Sequence, residues 1–90
     1  MVTAAQLRAA RALLGIDQRQ LAERAGVSLP TIQRMEASDG IVRGVIESLM
    51  KVIGALEASG IELIGDNMPS RGEGRGVRLV ETASPDGQRE

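Results

Sequence analysis

The chain has no cysteine, no histidine, and no tryptophan, tyrosine or phenylalanine among its 90 residues. Without cysteine there is no disulfide framework and no thiolate metal site. Without histidine the commonest metal ligand and general base is missing too. A nucleophile and its base would have to come from Ser, Lys and carboxylates scattered over different segments, so neither an enzyme nor a metal or other cofactor is expected. No apolar run approaches the roughly 20 residues of a membrane span, and no charged-then-apolar leader opens the chain. The expected location is cytoplasmic, with no membrane partner. What remains is 42% hydrophobic and 26% charged, ordinary for one small globular domain whose core is built from Leu, Ile, Val, Met and Ala.

Charge of one sign is also lacking. Eleven Lys+Arg stand against twelve Asp+Glu, for a net charge of -1, which argues against nucleic-acid binding by the whole surface. Ten of the eleven cations are arginines, however, and Lys51 is the only lysine. The planar guanidinium fork suits phosphates and guanine edges, so a local patch is compatible with the overall balance.

Capping residues divide the first half of the chain. Thr3, Asp17 and Ser28 each precede a helical segment and offer a side-chain oxygen to the free amides of its first turn. Gln6 and Gln20 complete the capping-box spacing with Thr3 and Asp17. Val2 with Leu7, Ile16 with Leu21, and Val27 with Ile32 have the spacing of hydrophobic staples. Gly15 and Gly26 close the first two segments. These signals predict helices over 4–14, 18–25 and 29–36.

A fourth helix is predicted over 44–59, from the recurrence of Val45, Ile46, Leu49, Met50, Val52, Ile53 and Leu56 before Gly60. Its apolar face is wider than one core stripe requires. Gly54, in the middle, is either a tolerated weakness or a point of close approach. Beyond Gly60, residues 61–64 and 77–80 are β-branched and partly alternating, and the glycine-rich stretch 65–76 separates them. A long-looped β-hairpin over 61–82 is expected, followed by a polar tail over 83–90. The glycines at 72, 74 and 76 lack the helix and Lys-Ser/Thr pair of a phosphate loop.

The richest stretch runs from Gln18 to Glu36. Two helices meet across Gly26-Val27-Ser28 in a tight corner, with Ala22 small at the crossing. Leu21, Val27, Ile32 and Met35 point to one core, leaving Leu29, Pro30, Gln33 and Arg34 on the outward face of the third helix.

Gln18-x-x-Leu21-Ala22-x-x-x-Gly26-Val27-Ser28-x-x-Thr31-Ile32-x-x-x-Glu36, preceded by Arg11 and Gly15, resembles the Cro/C1-type (XRE) helix-turn-helix regulators. The likeness covers roughly residues 3–56 and is best over 11–36. The hairpin sequence looks like that of a small bacterial subgroup. The resemblance implies a mainly α fold, a four-helix lambda repressor-like domain over 1–60 with the hairpin added, and a third helix that enters the DNA major groove. It implies a phosphate contact at Gln18 and base-facing positions at Leu29, Pro30, Gln33 and Arg34, with Ser28, Thr31 and Arg43 beside them. It implies an ion pair between Arg11 and Glu36.

The expected function is therefore a homodimeric transcription regulator, a repressor that binds an inverted-repeat operator on double-stranded DNA. The alternative is an antitoxin-like protein-binding module whose operator binding is secondary. A lone hairpin is marginal in water and leaves its edges unpaired. The dimer interface is accordingly expected at Met50, Ile53, Gly54, Ile61, Leu63, Val77 and Leu79.

Overall fold

The computed structural model describes residues 2–80; the expected tail and the last two residues of the expected hairpin lie outside the described residues. Four helices follow in order, α1 (Ala4–Leu14), α2 (Gln18–Ala25), α3 (Leu29–Glu36) and α4 (Ile46–Ala58). The first three begin where their caps predict. Thr3 Oγ1 accepts the Gln6 N–H at 3.1 Å, and Gln6 Oε1 accepts the Thr3 N–H at 2.9 Å. Asp17 and Gln20 repeat the exchange at 2.8 and 2.9 Å. Ser28 caps α3 through the Thr31 N–H. Pro30 sits in that first turn, where its missing N–H has no helical partner to lose.

Three glycines finish three of the helices in one way. Gly15, Gly26 and Gly60 have φ of 69°, 71° and 95°. The residue after each returns its N–H to a carbonyl five positions back: Ile16 to Arg11, Val27 to Ala22 and Ile61 to Leu56. This left-handed closure satisfies carbonyls that a frayed end would leave open.

α4 starts at Ile46, two residues later than its apolar recurrence predicts. Gly44 has φ 153°, outside the helical region, and Val45 takes the cap position without a side-chain hydrogen bond. No polar residue marks the start, so periodicity alone ran past it.

Leu7, Leu21, Ile32, Met35, Val52 and Leu56 are fully buried, one or more from each helix. Each contributes about 1.5–3 kcal/mol relative to exposure. Ala22, 4% exposed, lets α2 and α3 cross closely. The loop before α4 seals one end. The Ala4 N–H bonds to Gly40 O at 2.9 Å and the Val42 N–H to Val2 O at 3.0 Å, around a bridge between Thr3 and Ile41.

No strand of the expected hairpin is found among the described residues: there is no ladder, and 61–64 and 77–80 do not pair through their backbones. Ile61 and Leu63 instead pack half-buried on the helical core, and Gln6 Nε2 donates to Ile64 O at 2.9 Å. The Glu62 carboxylate gathers the loop, accepting from the Arg71 and Gly72 N–H groups and the Ser70 hydroxyl. These three bonds, the Arg71 amide first, hold its carboxyl below the usual glutamate value. Among the described residues the single hydrogen bond from the second segment is a side chain's, Arg78 Nη2 to Gly65 O at 2.8 Å. A twelve-residue glycine-rich connection cannot set a register, and one face of two strands buries too little to impose it. Gly54 has open space where a Cβ would stand, so no other element among the described residues approaches it.

Gly26→Ala is expected to destabilise the fold by about 1–2 kcal/mol, the cost of a left-handed conformation with a Cβ, because nothing else crowds that site. Gly26→Asn, which tolerates this conformation better, should lose less in the same urea titration. Equal stability of Gly26→Ala and the parent would refute the closure.

Candidate nucleic-acid interface

Glu36, the last residue of α3, is 5% exposed and the only buried charged residue among those described. Arg11 of α1 meets it with both arms of its fork, Nε to Oε2 at 2.6 Å and Nη2 to Oε1 at 2.7 Å. Gln18 Nε2 of α2 donates to the same Oε1 at 3.0 Å. Arg8 Nη1 donates to the Glu36 carbonyl at 2.6 Å. Burial pushes the Glu36 carboxyl up, but the hydrogen bonds from Arg11 and Gln18 and the Arg11 and Arg8 charges outweigh it, leaving the group below its ordinary value. The same hydrogen bond raises Arg11. Three helices thus converge on one anion.

With Ile32, Met35 and Glu36 held inward, α3 turns its other side out. Pro30, Gln33 and Arg34 are exposed, Leu29 and Thr31 half-buried, and Ser28 exposed at the cap. The Ser28 and Thr31 hydroxyls share a 2.8 Å hydrogen bond, and Ser28 also serves the cap. Arg34, Thr31 and Arg43 line one shallow depression with Val45 and Ser48 at the start of α4. Ser38 brings Arg43 there. Its hydroxyl donates to Arg34 O at 3.3 Å and accepts the Arg43 N–H at 3.2 Å.

Gln18 stands at the first position of α2, half-buried, with unpaired helix amides beside it. One of its donors is spent on Glu36. The expected interface residues lie elsewhere. Met50, Val77 and Leu79 are exposed, Ile53, Ile61 and Leu63 half-buried, and Gly54 open. Sequence reasoning passed over Arg8 and Ser38. Arg8 shares a face of α1 with Arg11, three positions on, and Ser38 has the four-residue return spacing to a helix carbonyl; those were the available signals.

A family described as helix-turn-helix domain has a model that matches residues 4–59. Comparison with curated proteins and with solved structures found no match.

Arg11→Ala would leave a buried carboxylate without its fork. The expected loss is about 3 kcal/mol, the lower end for breaking a buried pair because Arg11 keeps some water contact. A thermal melt should show a fall of roughly 12–24 °C, and an unchanged melt would refute the arrangement. A carboxyl with a lowered folded-state pKa stabilises above its unfolded value and loses that contribution as pH falls through the folded one. Stability should therefore decline on acidification below the ordinary glutamate range, and Glu36→Gln should remove its share of that slope.

Proposed function

This chain belongs to the helix-turn-helix domain family, with DNA as its partner, and on that footing we propose that it is a homodimeric, sequence-specific repressor of the Cro/C1 (XRE) type. The observation that carries the reading is the exposed pair Gln33 and Arg34 on a helix whose opposite side is locked into the core. Laid in the major groove, α3 offers Arg34 to the two acceptors of guanine and Gln33 to adenine. Leu29 and Pro30 offer apolar surface to a thymine methyl. Gln18 with the first amides of α2, Ser28, Thr31 and Arg43 meet phosphate, which positions the helix without specifying sequence. With two of the base-facing residues apolar, groove shape contributes to the choice of site.

The second copy is the occupant we assign to the uncovered surface. Val77, Leu79 and Val80 are 79%, 90% and 75% exposed, and their backbone makes no ladder. They flank an open groove of about 860 Å³ whose other walls include Leu13, Ile41, Leu63 and Met68. Residues 61–64 and 77–80 both have strand-forming sequences and unpaired edges, so a two-fold axis lets one chain complete the other. Met50 at 60% exposure, half-buried Ile53 and the open Gly54 extend the same opportunity along α4. Such a dimer presents two reading helices about 34–36 Å apart for half-sites one turn distant.

Binding tests compare a duplex selected by the wild-type chain from a random pool with an unselected duplex. Arg34→Ala should weaken the selected duplex by about 1–3 kcal/mol and the unselected one much less. Equal loss on both would assign Arg34 to phosphate.

Leu79→Asp touches a side chain already in solvent, so it should leave the fold intact while sedimentation shows dimer passing to monomer. A wild-type chain that sediments as a monomer on its selected duplex would overturn the dimer and favour the alternative, a surface for another protein.

A further inference from the structure

We propose that Glu36 is a positioning residue for the DNA-backbone contact: from the end of α3, its carboxylate anchors the Gln18 amide nitrogen through one N–H and leaves the second N–H for phosphate. The inference rests on the reading of Gln18 as a phosphate contact.

A glutamine amide has a donating end and an accepting end of nearly the same shape, so packing alone does not choose between them. A carboxylate chooses, because it only accepts. Glu36 Oε1 takes Gln18 Nε2 at 3.0 Å. In the flipped orientation the Gln18 carbonyl oxygen would face the buried anion, lone pair against lone pair, with both groups losing a hydrogen bond. The amide nitrogen has two hydrogens, and one is spent inward. The other is the donor left to an acceptor outside, and Gln18 is only half-buried.

Phosphate oxygens accept and do not donate, so the second N–H, and not the Gln18 carbonyl oxygen, is what a phosphate contact requires. The carboxylate itself cannot swing. Arg11 holds both of its oxygens, and Arg8 holds the carbonyl of the same residue. Because Glu36 belongs to the reading helix and Gln18 to the helix before it, the backbone contact keeps one register with Gln33 and Arg34. The ion pair thus does more than tie α1 to α3: it presets a donor that would otherwise be ordered only on binding.

A double-mutant cycle on DNA affinity tests this, using Gln18→Ala, Glu36→Gln and both together on the selected and unselected duplexes. Glu36→Gln keeps the shape and lets either end of Gln18 face inward. Gln18→Ala should weaken both duplexes by roughly 2–12-fold, the worth of one hydrogen bond. Glu36→Gln should weaken both by no more than that and add nothing in the Gln18→Ala background. Losses that multiply would overturn the positioning role and leave the Gln18 contact standing, because a purely architectural Glu36 lowers the melting temperature without coupling to Gln18. Wild-type affinity of Gln18→Ala would overturn the contact itself, and the positioning role with it.

Should Glu36→Gln fail to fold, the wild-type chain supplies the readout through the Gln18 side-chain NH₂ signals in a proton–nitrogen NMR spectrum. One hydrogen should shift as Glu36 is protonated, and the other on addition of the selected duplex. Insensitivity of both to the carboxyl titration would refute the proposal.

Discussion

A carboxylate taken out of water at the junction of three helices constrains everything around it. Glu36 is 5% exposed, and an isolated charge in that position would be destabilising by several kcal/mol or would take up a proton. It stays ionised because Arg11, Arg8 and Gln18 surround it, and each is anchored in a helix that must therefore stand where it does. Apolar packing alone would tolerate small slides of α1 over α3. A two-pronged hydrogen bond at 2.6 and 2.7 Å does not. The anion defines geometry more than it adds stability, since an apolar replacement of similar volume often packs as well.

The outward face of α3 follows from that constraint. A short helix exposes whatever its buried side leaves over, and with Ile32, Met35 and Glu36 turned in, Gln33 and Arg34 are turned out. Ser38 carries the order one step further, joining the end of α3 to the backbone of Arg43. A near-neutral chain can in this way assemble a small cationic surface from Arg34 and Arg43. Three of its carboxylates are placed in other roles, Asp17 in a cap, Glu36 in the core and Glu62 in the C-terminal loop.

The first three helices could be read directly because their signals are local. A threonine, aspartate or serine with its partner three residues on, and a glycine at the end, act within one turn whatever the rest of the molecule does. The start of α4 could not, because Val45 offers no cap and only the φ of Gly44 separates loop from helix. The β-rich composition of 61–64 and 77–80 was visible, but pairing needs a register, and twelve residues of loop around Glu62 leave it undefined. Around Glu36 the limit is different again. Its contacts join residues 18, 25 and 28 positions apart, and no periodicity reports such meetings. The pairing of Arg11 with Glu36 is implied by a resemblance to other sequences; the places of Gln18 and Arg8 beside it are visible only in the folded chain.

The glycine closures also bear on how quickly the chain finds its shape. Each reversal is decided inside six residues, by a hydrogen bond from Ile16, Val27 or Ile61 back to a carbonyl of the helix it follows. Directions set so locally belong to topologies that fold in microseconds to milliseconds, because little chain must be searched before a correct neighbour is met. The slow part of such a search is closure of the longer loop that brings Arg11 to Glu36, and its entropic cost grows only with the logarithm of its length. The glycines thus narrow the search as well as ending the helices, since the direction of the corner that carries α3 is set by a bond within six residues and does not depend on enclosure of the buried anion.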